Sequence, residues 1–443
     1  MASRPVSASI VRPILLGAAP AVLFAANFLF GAYLPIPSLV LVALAALGLA
    51  TACAFPSVRN DLGSLRSIWP AGVMFAITIG VALWSLTPWV PDGPHPLWAW
   101  AGLPGAATLN TSATILEIIR LCGLACFFTI GCILGVASDR ARETIRIILI
   151  LGAVYAGLSL VSFLTGAQLG HRTGRLLGGF YSPNTAGTLL GVLTLLSIAW
   201  ILHRWRKSEG AKQADRIAVL APLIAIGAVL IATLLLTASR AAIGATALAL
   251  VILLLTEAIA NRRSRLPLLL AGAGLLASIG AFAVLGNSLI LDRFNAMDLA
   301  RDDRMVIFQS HWRAFLASPL MGYGLGTYPE VNNMVMTADT FGPLSATIVL
   351  HNSYLQWLEE AGVIGATPMF LLIAWIVGCT LWRTIGNSRN LTLLIGLLLA
   401  TMVVLIHAAV DVSLHIPTFA AFWALLLGLG FALSQARSRR RRS

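Results

Sequence analysis

This 443-residue sequence is short of charge. Only 11% of its residues are Asp, Glu, Lys or Arg, whereas a soluble globular domain carries roughly a quarter. The deficit runs from one end to the other and argues against a soluble chain with one apolar patch. The polar stripe that a surface helix shows at helical period is also missing from most apolar runs. Cysteine is sparse: Cys53, Cys122, Cys126, Cys132 and Cys379 all fall inside apolar runs. That placement and the lack of metal-type spacing speak against a disulfide framework or a metal site, so the thiols read as small hydrophobes. No internal repeat and no low-complexity segment is found.

What remains is hydrophobic, 58% of the chain, arranged in runs of about 20 residues, the length that crosses a bilayer core. The runs lie near 13–33, 36–56, 68–87, 113–137, 145–165, 182–203, 217–237, 241–260, 267–286, 361–382, 391–410 and 417–434. The expected fold is therefore an all-α integral membrane protein of about 12 transmembrane helices. Basic residues before the run from Pro13 to Tyr33 resemble a signal peptide, but the run is long and lacks a convincing small-residue cleavage site, so it reads as a retained first helix.

The net charge of +13 would suggest nucleic acid in a soluble domain. Here its distribution assigns it to topology and to membrane lipids, with no nucleic-acid partner. Basic residues gather in alternate loops, as at Arg140, Arg142 and Arg146, at Arg204, Arg206, Lys207, Lys212 and Arg216, and at Arg437 with Arg439 to Arg442. The positive-inside rule places those loops and both termini in the cytoplasm. The layout divides into N-terminal helices over 1–140, central helices over 141–286, a periplasmic loop over 287–360 with short amphipathic helices, and C-terminal helices with a basic tail over 361–443. Within the loop, residues 302–317 read as an amphipathic helix stopped by Pro319, and the Trp-rich stretch 88–112 reads as an interfacial loop.

The basic residues left on the outer side are all arginine: Arg172, Arg175, Arg240, Arg293, Arg301, Arg304 and Arg313. Positive charge on the disfavoured face needs a reason. Pairing with Asp292, Asp298, Asp302 and Asp303 is one. An anion, phosphate above all, is the other, because a guanidinium fork matches its oxygens. Arg240 sits in Thr237-Ala-Ser239-Arg240, a tight turn able to present amides and guanidinium together. Arg175 precedes Gly178-Gly179-Phe180-Tyr181-Ser182-Pro183-Asn184, where Ser-Pro suits a helix start. His351 and Asn352 open the helix after the long loop, and a histidine there can take a proton from a sugar hydroxyl or serve as an ordinary structural hydrogen-bonder. His171 is its one local rival. Glu117 with Arg120, and His407 with Asp411 followed by His415, are intramembrane or membrane-edge groups that either close the bundle or serve the site.

In order, Arg175 to Asn184, Ser239-Arg240, Arg304 heading its helix, Pro319-x-x-Gly-x-Gly-x-Gly-x-Tyr328 and His351-Asn-x-Tyr-Leu-Gln-x-x-x-Glu-x-Gly362 resemble the bacterial O-antigen ligase and polymerase family. The likeness covers about residues 170–380, while 1–140 agrees in hydropathy only. It implies a GT-C-like membrane glycosyltransferase of the inner membrane with a periplasmic site and no metal or other cofactor. The donor would be an undecaprenyl-diphosphate-linked glycan and the acceptor a glycan or lipid A-core hydroxyl. By the same resemblance Arg175, Arg240, Arg304 and His351 match functional positions; His351, Arg240 and Arg175 are expected to be catalytic, and Arg304, Arg172, Asn184, Asn352 and Ser239 to bind substrate. A lipid-linked oligosaccharide flippase and a protein O-oligosaccharyltransferase are the competing functions. A transporter should carry charge near the midplane, and here charge collects at the outer face.

Overall fold

The computed structural model describes residues 6–168 except 92, 174–260 except 209 and 211, isolated positions between 266 and 277, and 303–436 except 346, 386 and 388. Every regular element among them is helical. The long helices are α1 (Val6–Asn27), α2 (Pro35–Cys53), α4 (Trp69–Trp84), α6 (Thr111–Gly135), α7 (Ser138–Leu164), α8 (Pro183–Lys207), α9 (Gln213–Leu236) and α10 (Arg240–Ala260), with short α3 (Pro56–Gly63) and α5 (Pro96–Trp100) between them. Residues 303–317 form α11. Then come α12 (Tyr328–Val335), α13 (Phe341–Ser345), α14 (Ser353–Thr384), α15 (Leu391–Ala408) and α16 (Pro417–Gln435).

Among the described residues nine helices are long and apolar enough to cross a membrane, and two shorter apolar helices accompany them, Gly17–Asn27 and Trp69–Trp84. The protein is an integral membrane protein. Eleven of the expected runs coincide with helices, and the run at 267–286 lies almost wholly outside the described residues. Three helices start at least seven residues earlier than hydropathy alone indicates, α1 at Val6 and two whose starts carry charged residues. α7 begins at Ser138, so Arg140 and Arg142 lie on its first turns, paired with Asp61 and Asp139. α14 begins at Ser353, because buried Glu359 and Glu360 interrupt the apolar run without interrupting the helix.

Local chemistry sets the starts. Ser182 caps α8 ahead of Pro183, Asn110 caps α6 and Asn352 caps α14 through side-chain oxygens that accept amide protons. α8 ends in Arg204, Arg206 and Lys207, which suits the negative end of its dipole. α8 and α16 are buried along nearly their whole length, whereas α2 and α9 are mostly exposed, the pattern of central helices ringed by lipid-facing ones. α16 packs along α6 so closely that a Cβ at Gly428 would lie 2.0 Å from the Phe128 carbonyl oxygen. Small residues let helices approach where water-driven burial is absent.

One irregularity shapes the end of the bundle at which α14 begins. α14 breaks at Gly362, with φ +61° and ψ −177°. The loop 319–326 enters that break: the amides of Tyr323 and Gly324 donate to the carbonyls of Glu359 and Glu360, and those of Val363 and Ile364 donate to Pro319 and Leu320. Any Cβ at Gly362 would meet the Leu320 carbonyl at 2.1 Å, and its left-handed φ favours glycine independently.

Candidate functional site

The polar groups of one end of the bundle converge on Asp411, just beyond the end of α15. It is fully buried, yet three elements reach it. From α8, Asn184 Nδ2 donates to its Oδ1 at 3.4 Å. From the turn before α14, His351 Nδ1 stands 3.9 Å from the same oxygen. From α15, His407 Nδ1 lies 3.7 Å from Oδ2, and the Ser413 hydroxyl donates to Oδ2 at 2.5 Å. Thr188 of α8 bonds His407 at 2.7 Å, and Ser353 Oγ donates to the Asp411 carbonyl at 3.0 Å. Burial alone would raise the Asp411 carboxyl. The contact with His351, the charge of His407 and the Ser413 hydrogen bond outweigh it and hold the group below the usual carboxylate range.

His351 is backbone-strained, with φ +59° at a non-glycine residue, and such strain persists where the surroundings over-determine it. Its side chain is 28% exposed, and its Nδ1 is buried with no hydrogen-bond partner among the described residues. The ring therefore presents one edge outward and the other toward a buried acid.

Arg175 enters from the loop before α8. That loop is pinned by Leu176, whose amide donates to Leu236 at 3.0 Å, by the Tyr155 hydroxyl donating to Gly178 at 2.6 Å, and by Gln168, which bonds both the Arg175 carbonyl and the Leu177 amide. Arg175 Nε donates to the Thr237 carbonyl at 2.7 Å and Nη2 to Asn184 Oδ1 at 3.0 Å. The Thr237 bond joins this loop to the turn carrying Arg240, which is exposed and opens α10. Ala238 in that turn adopts φ +47°. Buried Ser239 keeps an Oγ with no hydrogen-bond partner among the described residues. Arg304, exposed on the first turn of α11, lies near enough for its charge to act on His407.

The structure thus brings Arg175, Asn184, Ser239, Arg240, Arg304 and His351 to one end. Arg172 and His171 lie outside the described residues, as do Arg293, Arg301, Asp292, Asp298 and Asp302. Asn352 is the α14 cap, its Oδ1 committed to the amides of Tyr354 and Leu355, so only its amide nitrogen remains for another partner. Sequence reasoning left Asp411 between structure and site; its central position follows from Asn184 and His351, far away in the chain. Thr188, Ser413 and Gln168 carried no signal, since lone Ser, Thr and Gln residues in apolar helices and loops are common.

A groove runs between α2, α6, α14 and α16. Its walls are mostly apolar, with Leu41, Leu121, Phe127 and Ala420 among them, and His415 lines it four residues from Asp411. Burial pushes His415 down to about 4. The paired Glu117 and Arg120 also line it, and Arg120 donates further to Ser38 Oγ and the Tyr33 carbonyl, each at 2.8 Å.

Residues 225–370 match the family model of O-antigen ligase, and no curated protein matches the chain. The matched stretch contains Arg240, Arg304, the glycine loop and His351, while Arg175 and Asp411 complete the site from outside it. Over residues 225–370 the chain is similar to the O-antigen ligase family.

Proposed function

We propose that the protein transfers a glycan from undecaprenyl diphosphate to a sugar hydroxyl, on lipid A-core or a growing polysaccharide, at the periplasmic face. The observation that carries this reading is the convergence of His351 and the arginine-bearing segments around Asp411 at one end of the bundle.

The acceptor oxygen attacks the anomeric carbon while the bond from that carbon to the diphosphate oxygen breaks. The electron pair leaves with the diphosphate, and the hydroxyl proton passes to His351. A single displacement inverts the anomeric centre. Asp411 orients the His351 ring and stabilises the imidazolium that forms, as a carboxylate does behind a general base. Arg240, Arg175 and Arg304 meet the charge growing on the diphosphate. Arg240 at the head of α10, with the hydroxyl of Ser239, which has no partner among the described residues, forms the cradle. Guanidinium groups supply the neutralisation a divalent cation would otherwise give, so the reaction runs without one.

The apolar groove beside His415 takes the polyprenyl chain, which enters sideways from the bilayer. The opposite end of the bundle holds the Arg204, Arg206 and Lys207 turn of α8, and the positive-inside rule makes that end cytoplasmic.

The test is reconstitution in liposomes with an undecaprenyl-diphosphate-linked glycan and a lipid A-core or glycan acceptor. Transfer to the acceptor with release of undecaprenyl diphosphate is expected. Movement of intact donor across the bilayer without glycan transfer would establish a flippase instead.

A further inference from the structure

A second histidine–carboxylate pair lies away from the reacting centre. His311 of α11 and Glu359 of α14 are both fully buried. His311 Nδ1 stands 2.7 Å from Glu359 Oε1, and its Nε2 stands 3.2 Å from Asn332 Oδ1. Tyr328 stacks on the ring at 4.8 Å between centroids. Donor bookkeeping fixes the protons. Asn332 donates its own Nδ2 to the Leu344 carbonyl, so its Oδ1 is an acceptor and His311 Nε2 must carry hydrogen. A single further proton lies between Nδ1 and Glu359. With that proton the pair is neutral as a unit, which makes its complete burial tolerable.

This pair is one rung of a ladder. Along α11, Arg304, Ile307 and His311 follow at i, i+3 and i+7 and share a face. Arg304 lies near enough to the His407–Asp411 end of the site for its charge to act on His407. Ile307 packs in a cluster with Leu350 and Leu355. His311 bonds Glu359. The neighbours advance from Leu350 and Leu355 to Glu359 as the α11 residues advance from Ile307 to His311, so the start of α14 follows α11 in the same direction. Apolar contacts such as that of Ile307 tolerate sliding. A buried hydrogen bond flanked by a second one at Asn332 does not, because a slip of one turn, roughly 5.4 Å, would leave both partners buried and unmet.

We propose that the His311–Glu359 pair sets the axial register of α11 against α14, and thereby holds Arg304, roughly 10 Å away along the helix, at its working distance from His351. These are positioning residues that act through Arg304. The inference rests on the reading of Arg304 as a diphosphate contact.

The experiment is a double-mutant cycle on purified, liposome-reconstituted protein, with kcat and KM measured on the lipid-linked donor for His311→Ala, Arg304→Ala and the double variant. His311→Ala alone is expected to lower kcat by roughly 10- to 100-fold, the scale of an ångström-size misplacement. In the Arg304→Ala background it should cost no more than about twofold further, since residues acting as a unit are non-additive. Losses that multiply would overturn the proposal. Wild-type turnover by Arg304→Ala would instead overturn the donor-contact reading on which the proposal rests. Should His311→Ala fail to accumulate, Glu359→Gln and Glu359→Leu carry the test. The Gln amide donates to Nδ1 and preserves the register, so it should stay within about threefold of wild type in kcat while Leu loses what His311→Ala would lose. Equal losses in Gln and Leu would overturn the idea.

Discussion

Three histidines meet buried carboxylates in this bundle, and the contrast between two of them, His311 and His351, bears on the proposed division of work from support. His311 is sealed, bonded at both nitrogens and stacked on a tyrosine. His351 is partly exposed, strained, and 3.9 Å from its acid with Nδ1 unbonded. A ring that must gain and lose a proton needs an open edge and a partner that tightens as charge develops. A ring that locks two helices needs neither. Burial and completeness of bonding therefore distinguish the two proposed roles better than the presence of an acidic neighbour, which both possess.

The largest effect that would break this contrast is at His351. His351→Ala should lose roughly 10²- to 10⁴-fold in turnover, the usual contribution of a general base, while still binding the lipid-linked donor in a pull-down or tryptophan-fluorescence titration. Wild-type transfer by this variant would remove the distinction between the two histidines. Next in size are the arginines. Arg240→Ala and Arg175→Ala should each lose roughly 10²- to 10³-fold with normal membrane abundance by immunoblot. Arg240→Lys should fail too, because lysine lacks the bidentate fork; an active lysine variant would reduce Arg240 to a bulk charge.

Asp411→Asn sharpens the comparison from the acid side. Turnover should fall by more than roughly tenfold, as expected when a carboxylate no longer orients its base. The buried carboxyl is held below its ordinary value, so its stabilising contribution is complete above a pH of about 4 and is lost as pH falls through the depressed folded value. The gap in thermal midpoint between wild type and Asp411→Asn, followed in detergent, should accordingly narrow on acidification; a gap that widens would contradict the charge assignment. The smallest expected effect is none: transfer should continue in excess EDTA. Inhibition by EDTA that Mg²⁺ or Mn²⁺ reverses would replace the arginine account with a metal-dependent one.

The helices were legible because lipid imposes a simple rule: each backbone polar group must be met within its own segment, so spans appear as uninterrupted apolar runs. The rule misleads where protein rather than lipid surrounds the helix, as at Glu359 and Glu360, and the start of α14 is displaced for that reason. The site was partly legible. Arginine on the face that disfavours positive charge drew attention to Arg175, Arg240 and Arg304, and the cap-like His351-Asn352 opened a polar segment. Asp411 was visible as a polar residue at a helix end, but its meeting with Asn184 and His351 spans separations of 227 and 60 residues, which no local pattern encodes. The bond from Arg175 to Thr237 is equally hidden, because its acceptor is a backbone carbonyl.

The tight seam between α6 and α16 also has a consequence for biogenesis. Gly131 fits against Leu425, nearly 300 residues later in the chain. At about 5–20 residues per second of synthesis, that interval is roughly a quarter of a minute to a minute. Through it, the glycine face of α6 waits in the bilayer without the surface made for it, and Asp411 has not yet emerged to receive His351. Assembly of this protein is therefore exposed to a long delay at this closely packed seam. A membrane insertase or chaperone that shields small-residue helix faces should raise its yield more than one acting on the outer loops.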